Sequence, residues 1–257
     1  MDEDPRLMNI FLDVQRGLPR QGPGLDESTL HAFAMCDGLP ERPNILDVGC
    51  GPGMQTIALA KATGGDIAAV DVFEEYLSEL QTRAEVEGVA DRITPQLADM
   101  NDLPFPPTSF DLIWSEGAAY IMGFENALSA CKPLLRPGGF LAVTELVWLK
   151  AERSAEAAEF FGGEYPAMRH AEDRCEDVQV AGYELLGHFT LPDNAWWDHY
   201  YTPLEQKLPG LLQKYAGDEQ ALAIVKMTET EIAMRRNFAT CYGYEFFVAR
   251  VESIRTR

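Results

Sequence analysis

NILDVGCGPGMQTIALA, residues Asn44–Ala60, joins an apolar run, an acid, three alternate glycines, a proline and a second apolar stretch. Asn44–Val48 is short and apolar, as a strand buried on both faces would be. MQTIALAKAT (54–63) has helical spacing and ends at Gly64-Gly65. Gly49, Gly51 and Gly53 free the intervening backbone for positive φ and for close approach by a ligand. The helix that follows presents free N–H groups and a positive dipole end, which suits a carboxylate or phosphate. The spacing is G-x-G-x-G, unlike the G-x-G-x-x-G of dinucleotide binders or the G-x-x-x-x-G-K-[ST] of phosphate loops, and no lysine follows. A tight turn with two capping acids is the plainer alternative.

The rhythm continues outward. DIAAVD (66–71) reads as a second strand. FEEYLSELQTRAEVEG (73–88) reads as a helix with Tyr76, Leu80, Ala84 and Val86 inward. ITPQLA (93–98) is a third strand, DMNDLPFPPTSF (99–110) a loop, and DLIWSEG (111–117) a fourth strand. ENALSACKPLLRPGG (125–139) is a helix stopped by Pro137, Gly138 and Gly139, and FLAVTEL (140–146) is a fifth strand. Strands alternating with helices predict an α/β fold with right-handed crossovers. The sheet is then doubly wound, mostly parallel and covered on both faces. After Lys150, helices are expected over 151–167 and 171–182, a sixth strand over 183–192, helical character from Asn194 to about Thr240, and a last strand over 242–252. Ahead of the glycine bend, RGLPRQGPGLDEST (16–29) is a loop whose Asp26 or Ser28 caps a helix reaching about Cys36.

The chain has 257 residues, 46% of them apolar, enough for one large domain or one domain with an inserted cap. No run of about 18 apolar residues occurs, so no membrane span or membrane partner is expected. The acidic start MDEDPRLMN lacks the pattern of a secretory signal. Cys36, Cys50, Cys131, Cys175 and Cys241 are scattered and never form CxxC. That argues against a disulfide framework or zinc site and for a reducing, cytoplasmic setting. The mixed HAEDRCED (170–177) reads as a charged helix, and no metal is expected. The net charge of −20, from 41 acids and 21 bases, repels phosphate backbones, so nucleic acid is an unexpected partner. The acids are spread along the chain, which suits solubility or a salty habitat, or an acidic funnel for a cationic substrate.

ILDVGCGPG (45–53) closely resembles the first motif of class I S-adenosylmethionine-dependent methyltransferases. AAVD ends at Asp71, where that family carries its ribose-binding acid. LADMNDLPFPPTSFDLIWSEGAAYIM (97–122) and LLRPGGFLAVTE (134–145) resemble its next strand ends. The resemblance covers roughly residues 25–150 and the closing strands. It implies a Rossmann-like sheet of seven strands with the last antiparallel, and a helical cap inserted at about 194–240. Residues 1–43 are then an N-terminal segment folding over the cofactor, ahead of a methyltransferase domain at 44–257. The implied cofactor is S-adenosyl-L-methionine, with S-adenosyl-L-homocysteine as product. By the resemblance, Gly49, Gly51 and Gly53 pass closest to its methionine part and Asp47 orders that loop. Asp71 holds the ribose hydroxyls, with Val72 or Phe73 flanking the adenine. Asp99 bonds the adenine amino group, Met100 lies on the ring, and the Ser115 backbone approaches the methionine end. LPRQGPGLDEST (18–29), WSEGAAY and DHYYTP also resemble segments of a bacterial subgroup of this family. There Arg20 can pair with the cofactor carboxylate as a bidentate fork.

Methyl transfer is an in-line displacement on a sulfonium, so the protein mainly aligns the partners and excludes water. A base is needed only when the acceptor must lose a proton. Glu116, beside the expected methyl position, is a candidate base or amine holder, or a loop hydrogen-bond acceptor. Tyr120 lies one turn further on, and His199 is the best-placed histidine for proton transfer. Glu145 is expected at the ligand-side end of the fifth strand. In NAWWDHYYTP (194–203), helical spacing puts Trp196 with Tyr200 and Trp197 with Tyr201. One face packs the cap while the other walls an acceptor pocket, and aromatics with acids can cage a cation. His31, His170 and His188 have no partner legible in the sequence. With no NPP[YF]-type signature after the fourth strand, a small-molecule acceptor is preferred over DNA. A cofactor-binding protein without turnover, and a nucleotide-sugar or nicotinamide enzyme on a similar sheet, are the competing readings. A monomer and a homodimer are both compatible with the sequence.

Overall fold

The computed structural model describes residues 4–252. Residues 1–3 of the expected N-terminal segment and 253–257 of the expected methyltransferase domain lie outside the described residues. In chain order the helices are α1 Pro5–Gln15, α2 Asp26–Ala34, α3 Met54–Ala62, α4 Glu74–Val86 and α5 Phe124–Cys131. They continue with α6 Ala155–Glu164, α7 Ala171–Val180, α8 Asn194–Trp196, α9 Thr202–Lys214 and α10 Glu219–Phe238. The strands are β1 Asn44–Val48, β2 Asp66–Asp71, β3 Ile93–Leu97, β4 Phe110–Ser115, β5 Leu135–Trp148, β6 Arg169–His170, β7 Tyr183–Thr190 and β8 Tyr242–Val251.

The seven long strands lie in the order β3-β2-β1-β4-β5-β8-β7. Neighbours are parallel from β3 through β5, and β8 is antiparallel to both β5 and β7. This is the expected doubly wound sheet with an antiparallel last strand. Successive strand residues face opposite layers. Trp114 packs edge-on against Phe246 at 5.4 Å on one side, and Phe124 meets Phe247 at 5.5 Å on the other. Both faces are buried, which is why the strands read as nearly continuous apolar runs.

The structure departs from the sequence expectations at several places, of which the unassigned helix α1 is one. Val86 is 80% exposed, because the helix stripe runs through Tyr76, Leu77, Leu80 and Ala84, and Val86 sits two residues past it. Helix α5 stops at Cys131 and passes into a 3-10 turn at Lys132–Leu134, where Pro133 cannot donate to the ladder. Pro137, Gly138 and Gly139 instead lie in β5, where the pairing with β4 shifts register. Neither Asp26 nor Ser28 caps α2; Leu25 holds that position without a side-chain bond. The two-residue β6 adds to the edge of β5 and was not expected.

The N-terminal segment and the cap are tied together over the carboxyl ends of the strands. Lys207 on α9 donates to the carbonyls of Asp13, Val14 and Arg16 at 3.1, 2.7 and 2.5 Å. A cation thereby satisfies carbonyls that α1 leaves free at its end. In the loop that follows, Arg20 N donates to His199 O at 3.3 Å and Gly24 N to Ala195 O at 3.0 Å.

Candidate active site

At the end of β1 the chain turns through Gly49, Gly51 and Gly53 with φ of +70°, +53° and +85°. Each glycine is required for a different reason. A Cβ on Gly49 would stand 2.4 Å from Ala118 Cβ, and one on Gly53 would stand 2.1 Å from Leu80 Cδ1. A Cβ on Gly51 would meet only Gln21, at 3.5 Å. Gly49 and Gly51 line a cleft; Gly53 does not, because its missing side chain admits Leu80 of α4. The expectation that all three glycines face the ligand is thus corrected at Gly53, which lies off the cleft lining. Two substitutions separate these roles. Gly53→Ala is expected to lower Tm by several degrees, since both its φ and Leu80 oppose it. Gly51→Val, whose positive φ also opposes a β-branched side chain, is expected to abolish ligand binding through intrusion into the cleft, whereas Gly53→Ala is expected to retain it. Thermal melts and calorimetry on the pair check this; binding retained in Gly51→Val, or lost in Gly53→Ala, would contradict it.

The cleft has an empty volume of about 940 Å³, open mouth included. Its wall takes residues from the N-terminal segment (Phe11, Gln15, Arg20, Gln21), from the glycine turn, and from the end of β2 (Asp71, Val72, Phe73). Met100 follows β3, and Glu116, Gly117, Ala118 and Tyr120 follow β4. Asp71 Oδ2 accepts from Gly51 N at 2.9 Å and Oδ1 from Phe73 N at 3.0 Å. Burial raises the Asp71 carboxyl above its ordinary value, and the Phe73 and Gly51 amides act against that.

Arg20, only 4% exposed, is the fixed cation of the cleft. Its Nη1 donates to Glu116 Oε2 at 3.0 Å and to Gln55 Oε1 at 3.5 Å, and its Nη2 to Asp26 Oδ1 at 3.1 Å. Its Nε is buried without a partner. Glu116 Oε1 accepts from Thr29 Oγ1 at 2.6 Å and Trp114 Nε1 at 2.9 Å. Both oxygens of Glu116 are therefore engaged, and the residue is a counter-ion. That corrects the expectation of a base free in the cleft: both carboxylate oxygens already accept hydrogen bonds from Arg20, Thr29 and Trp114.

Asp47 lies beneath the turn, fully buried, accepting from Thr56 Oγ1 at 2.6 Å. Burial pushes its carboxyl up to about 7, against the pull of Thr56. The folded state thus binds a proton that the unfolded state releases near pH 4. The stability contributed is present below the unfolded value and is lost as pH rises toward 7. Tm is expected to rise on the order of 5 °C from pH 8 to pH 5.5. Asp47→Asn should flatten that slope; an unchanged slope in the variant would contradict the assignment.

The remaining expected site residues separate. Val72, Phe73, Met100 and Tyr120 line the cleft. Asp99 does not: it is exposed and closes its own turn, accepting from Asn101 N and Nδ2 at 2.8 Å. Ser115 is buried, with Oγ donating to Val48 O at 3.0 Å. His199 lies outside the cleft lining and meets Arg20 through its backbone. Trp196, Trp197 and Tyr200 also lie off the lining. Arg235 sits 4.2 Å from the Trp196 ring centre and Arg236 5.0 Å from that of Trp197, so both indoles pack within the cap. Residues Trp197–Tyr201 form a π-helical turn, which brings Trp196 beside Tyr201 at 5.8 Å in place of the expected Tyr200. Glu145 lies within β5, short of its end, bonded to Tyr165 and facing Arg174 Nη2 at 3.4 Å. His188 Nδ1 stands 2.6 Å from Glu245, and His170 stands 3.1 Å from Arg153. Sequence reasoning missed Gln15, Gln21 and Tyr76 on the cleft wall: α1, which Gln15 ends, is not assigned as an element, Gln21 lies in the loop read only for Arg20, and Tyr76 reads as an inward-packing residue of α4.

A family model described as a methyltransferase domain matches residues 45–139. The chain is 36% identical over 104 residues to methyltransferase GfsG of Streptomyces halstedii, spanning 40% of this chain and 37% of that protein. It is 26% identical to the 27-O-demethylrifamycin SV methyltransferase of Amycolatopsis mediterranei, over 88% of this chain and 85% of that one. The solved structure of an S-adenosylmethionine-dependent methyltransferase from Geobacter sulfurreducens, in complex with S-adenosyl-L-homocysteine, superposes with a TM-score of 0.78. It shares 20% identity and covers 97% of this chain and 99% of that one. At that identity the likeness establishes the fold.

Proposed function

The chain belongs to the class I S-adenosylmethionine-dependent methyltransferase family, and we propose that it methylates a small-molecule acceptor in the cleft described above. The observation that carries this reading is the pairing, in one cleft, of Asp71 with the buried Arg20. The first is an acid positioned by two backbone amides; the second is a cation whose Nε lacks a partner. These groups fit the cofactor. Asp71 would accept from ribose hydroxyls, Phe73, Val72 and Met100 would flank the adenine, and Arg20 Nε would meet the methionine carboxylate. S-adenosylmethionine supplies an electrophilic methyl on a sulfonium. The chain's own residues orient the partners and exclude water. The N-terminal segment through residue 43 and the cap at 194–240 act together as the cover. Glu116, committed to Arg20, is then a positioning residue and not the base.

Several observations support a small acceptor. The net charge of −20 disfavours nucleic acid, and no helix among the described residues is long and apolar enough to cross a membrane. The curated relative of Amycolatopsis that spans most of the chain is named for methylating a rifamycin. Incubation with methyl-labelled S-adenosylmethionine and a panel of phenols, carboxylic acids, amines and thiols tests the reading. Label transfer to one class is expected. Cofactor binding without transfer to any of them would favour a non-catalytic binding protein.

A further inference from the structure

The loop between α1 and α2 lines the cleft from Pro19 to Pro23 and is fastened to α4 at three points. Arg16 bonds Glu75 at 2.5 and 3.0 Å, and Arg83 donates to the carbonyls of Pro19 and Leu18 at 2.8 and 3.3 Å. Neither arginine lines the cleft. The third tie does. Tyr76, 5% exposed, donates its hydroxyl to Gln21 Oε1 at 2.9 Å, and both residues stand on the cleft wall.

Gln21 lies over the turn that Asp71 shapes. Its Cγ is the atom that a Cβ on Gly51 would meet, at 3.5 Å, and Gly51 N donates to Asp71 Oδ2 at 2.9 Å. Tyr76 reaches the same place from α4. It packs edge-on against Phe73 at 5.4 Å, and Phe73 N is the other donor to Asp71. Burial, then Asp71, hold the Tyr76 hydroxyl well above its ordinary value, so it keeps its proton and donates. Gln21, Gly51, Asp71, Phe73 and Tyr76 thus form a ring of contacts on one stretch of the wall, joined by hydrogen bonds and packing.

The orientation of the Gln21 amide follows from its neighbours. One end faces the Gln15 carbonyl, which can only accept, so that end is the nitrogen and Oε1 faces Tyr76. The nitrogen is underused. Its bond to Gln15 O is 3.4 Å long, and that oxygen already accepts from Leu18 N at 3.2 Å. An amide nitrogen carries two hydrogens, so one has no acceptor among the described residues. Asp71 has the opposite surplus. Its carboxylate offers acceptors only, and the Gly51 and Phe73 amides are spent on it. Ribose hydroxyls that donate to Asp71 still carry oxygens that need a donor, and Gln21 is the side chain over that turn with a hydrogen to give.

We propose that Gln21 is a direct ligand of the cofactor: its Nε2 donates to a ribose hydroxyl oxygen whose hydrogen goes to Asp71, and Tyr76 is the positioning residue that turns the nitrogen toward it. The inference deepens the methyltransferase reading and rests on it. Two successive residues of the loop then serve the two ends of one molecule, Arg20 its carboxylate and Gln21 its ribose.

The test titrates S-adenosylhomocysteine and 5′-methylthioadenosine calorimetrically into the full chain and into Gln21→Leu, which keeps side-chain bulk over Gly51. Gln21→Leu is expected to weaken both ligands about tenfold and equally, because both carry the ribose. A loop merely loosened would release Arg20 too and penalise S-adenosylhomocysteine more, since only that ligand has the carboxylate. Competition by adenosine and by 2′,3′-dideoxyadenosine against 5′-methylthioadenosine isolates the hydroxyls. The preference for adenosine is expected to shrink about tenfold in Gln21→Leu. Tyr76→Phe, which frees the amide to turn, is expected to weaken both ligands about threefold and to shrink that preference in the same proportion. Unchanged affinities in Gln21→Leu, a larger loss for S-adenosylhomocysteine, or an unchanged preference for adenosine overturns the assignment of Gln21. Full affinity in Tyr76→Phe overturns the positioning role. Failure of S-adenosylhomocysteine to bind the unaltered chain marks the failure of the methyltransferase reading instead.

Discussion

Asp71→Ala is expected to weaken S-adenosylhomocysteine binding by about 100-fold, roughly 2.7 kcal/mol. The carboxylate has two tasks at once. It accepts from Gly51 N and Phe73 N, which shapes the turn, and it offers its remaining lone pairs to the cleft. Removing it leaves two backbone amides and two ribose hydroxyls without their acceptor, the costly direction of hydrogen-bond loss. Asp71→Asn keeps one acceptor oxygen and should fall between the two. Calorimetric titration checks the order; wild-type affinity in Asp71→Ala would remove the ribose assignment.

Arg20→Met is expected to produce the largest loss of stability. It removes a cation buried against Glu116, itself only 8% exposed, and strands that carboxylate. Breaking a buried pair by removing one partner costs about 3–5 kcal/mol. For a chain of this size that corresponds to a fall in Tm on the order of 10 °C. Adding Glu116→Gln to Arg20→Met should restore much of the Tm, since the stranded charge is then gone. Ligand affinity should not return with it. Arg20→Met with Glu116→Gln should still bind S-adenosylhomocysteine at least about tenfold more weakly than wild type, yet bind 5′-methylthioadenosine, which lacks the amino-acid carboxylate, unchanged. Equal losses for both ligands would show that Arg20 supports the fold without meeting the carboxylate.

The sheet was legible because its physics is local. Strands buried on both faces are written as apolar runs, and the turns between them carry glycine, proline and short polar residues. The glycine bend and Asp71 were legible for the same reason: backbone chemistry within a few residues requires those types. What could not be read depends on distant chain segments. Gly51 and Gly53 look alike in sequence, and only the arrival of Leu80 from α4 separates them. Glu116 looked free beside the methyl position, but Thr29 and Arg20 reach it from the N-terminal segment, 87 and 96 residues away. The aromatic run of the cap was conspicuous, and Trp197 meets Tyr201 as expected, but a π-helical turn brings Trp196 to Tyr201 as well, in place of Tyr200.

The central claim is that the cleft between Arg20 and Asp71 holds S-adenosylmethionine. Calorimetric titration of the full chain with S-adenosylmethionine and with S-adenosylhomocysteine tests it most directly. The account predicts one site with a Kd on the order of micromolar for both ligands, about 8 kcal/mol, and a Tm that rises with ligand concentration. No heat and no thermal stabilisation with either ligand would contradict it.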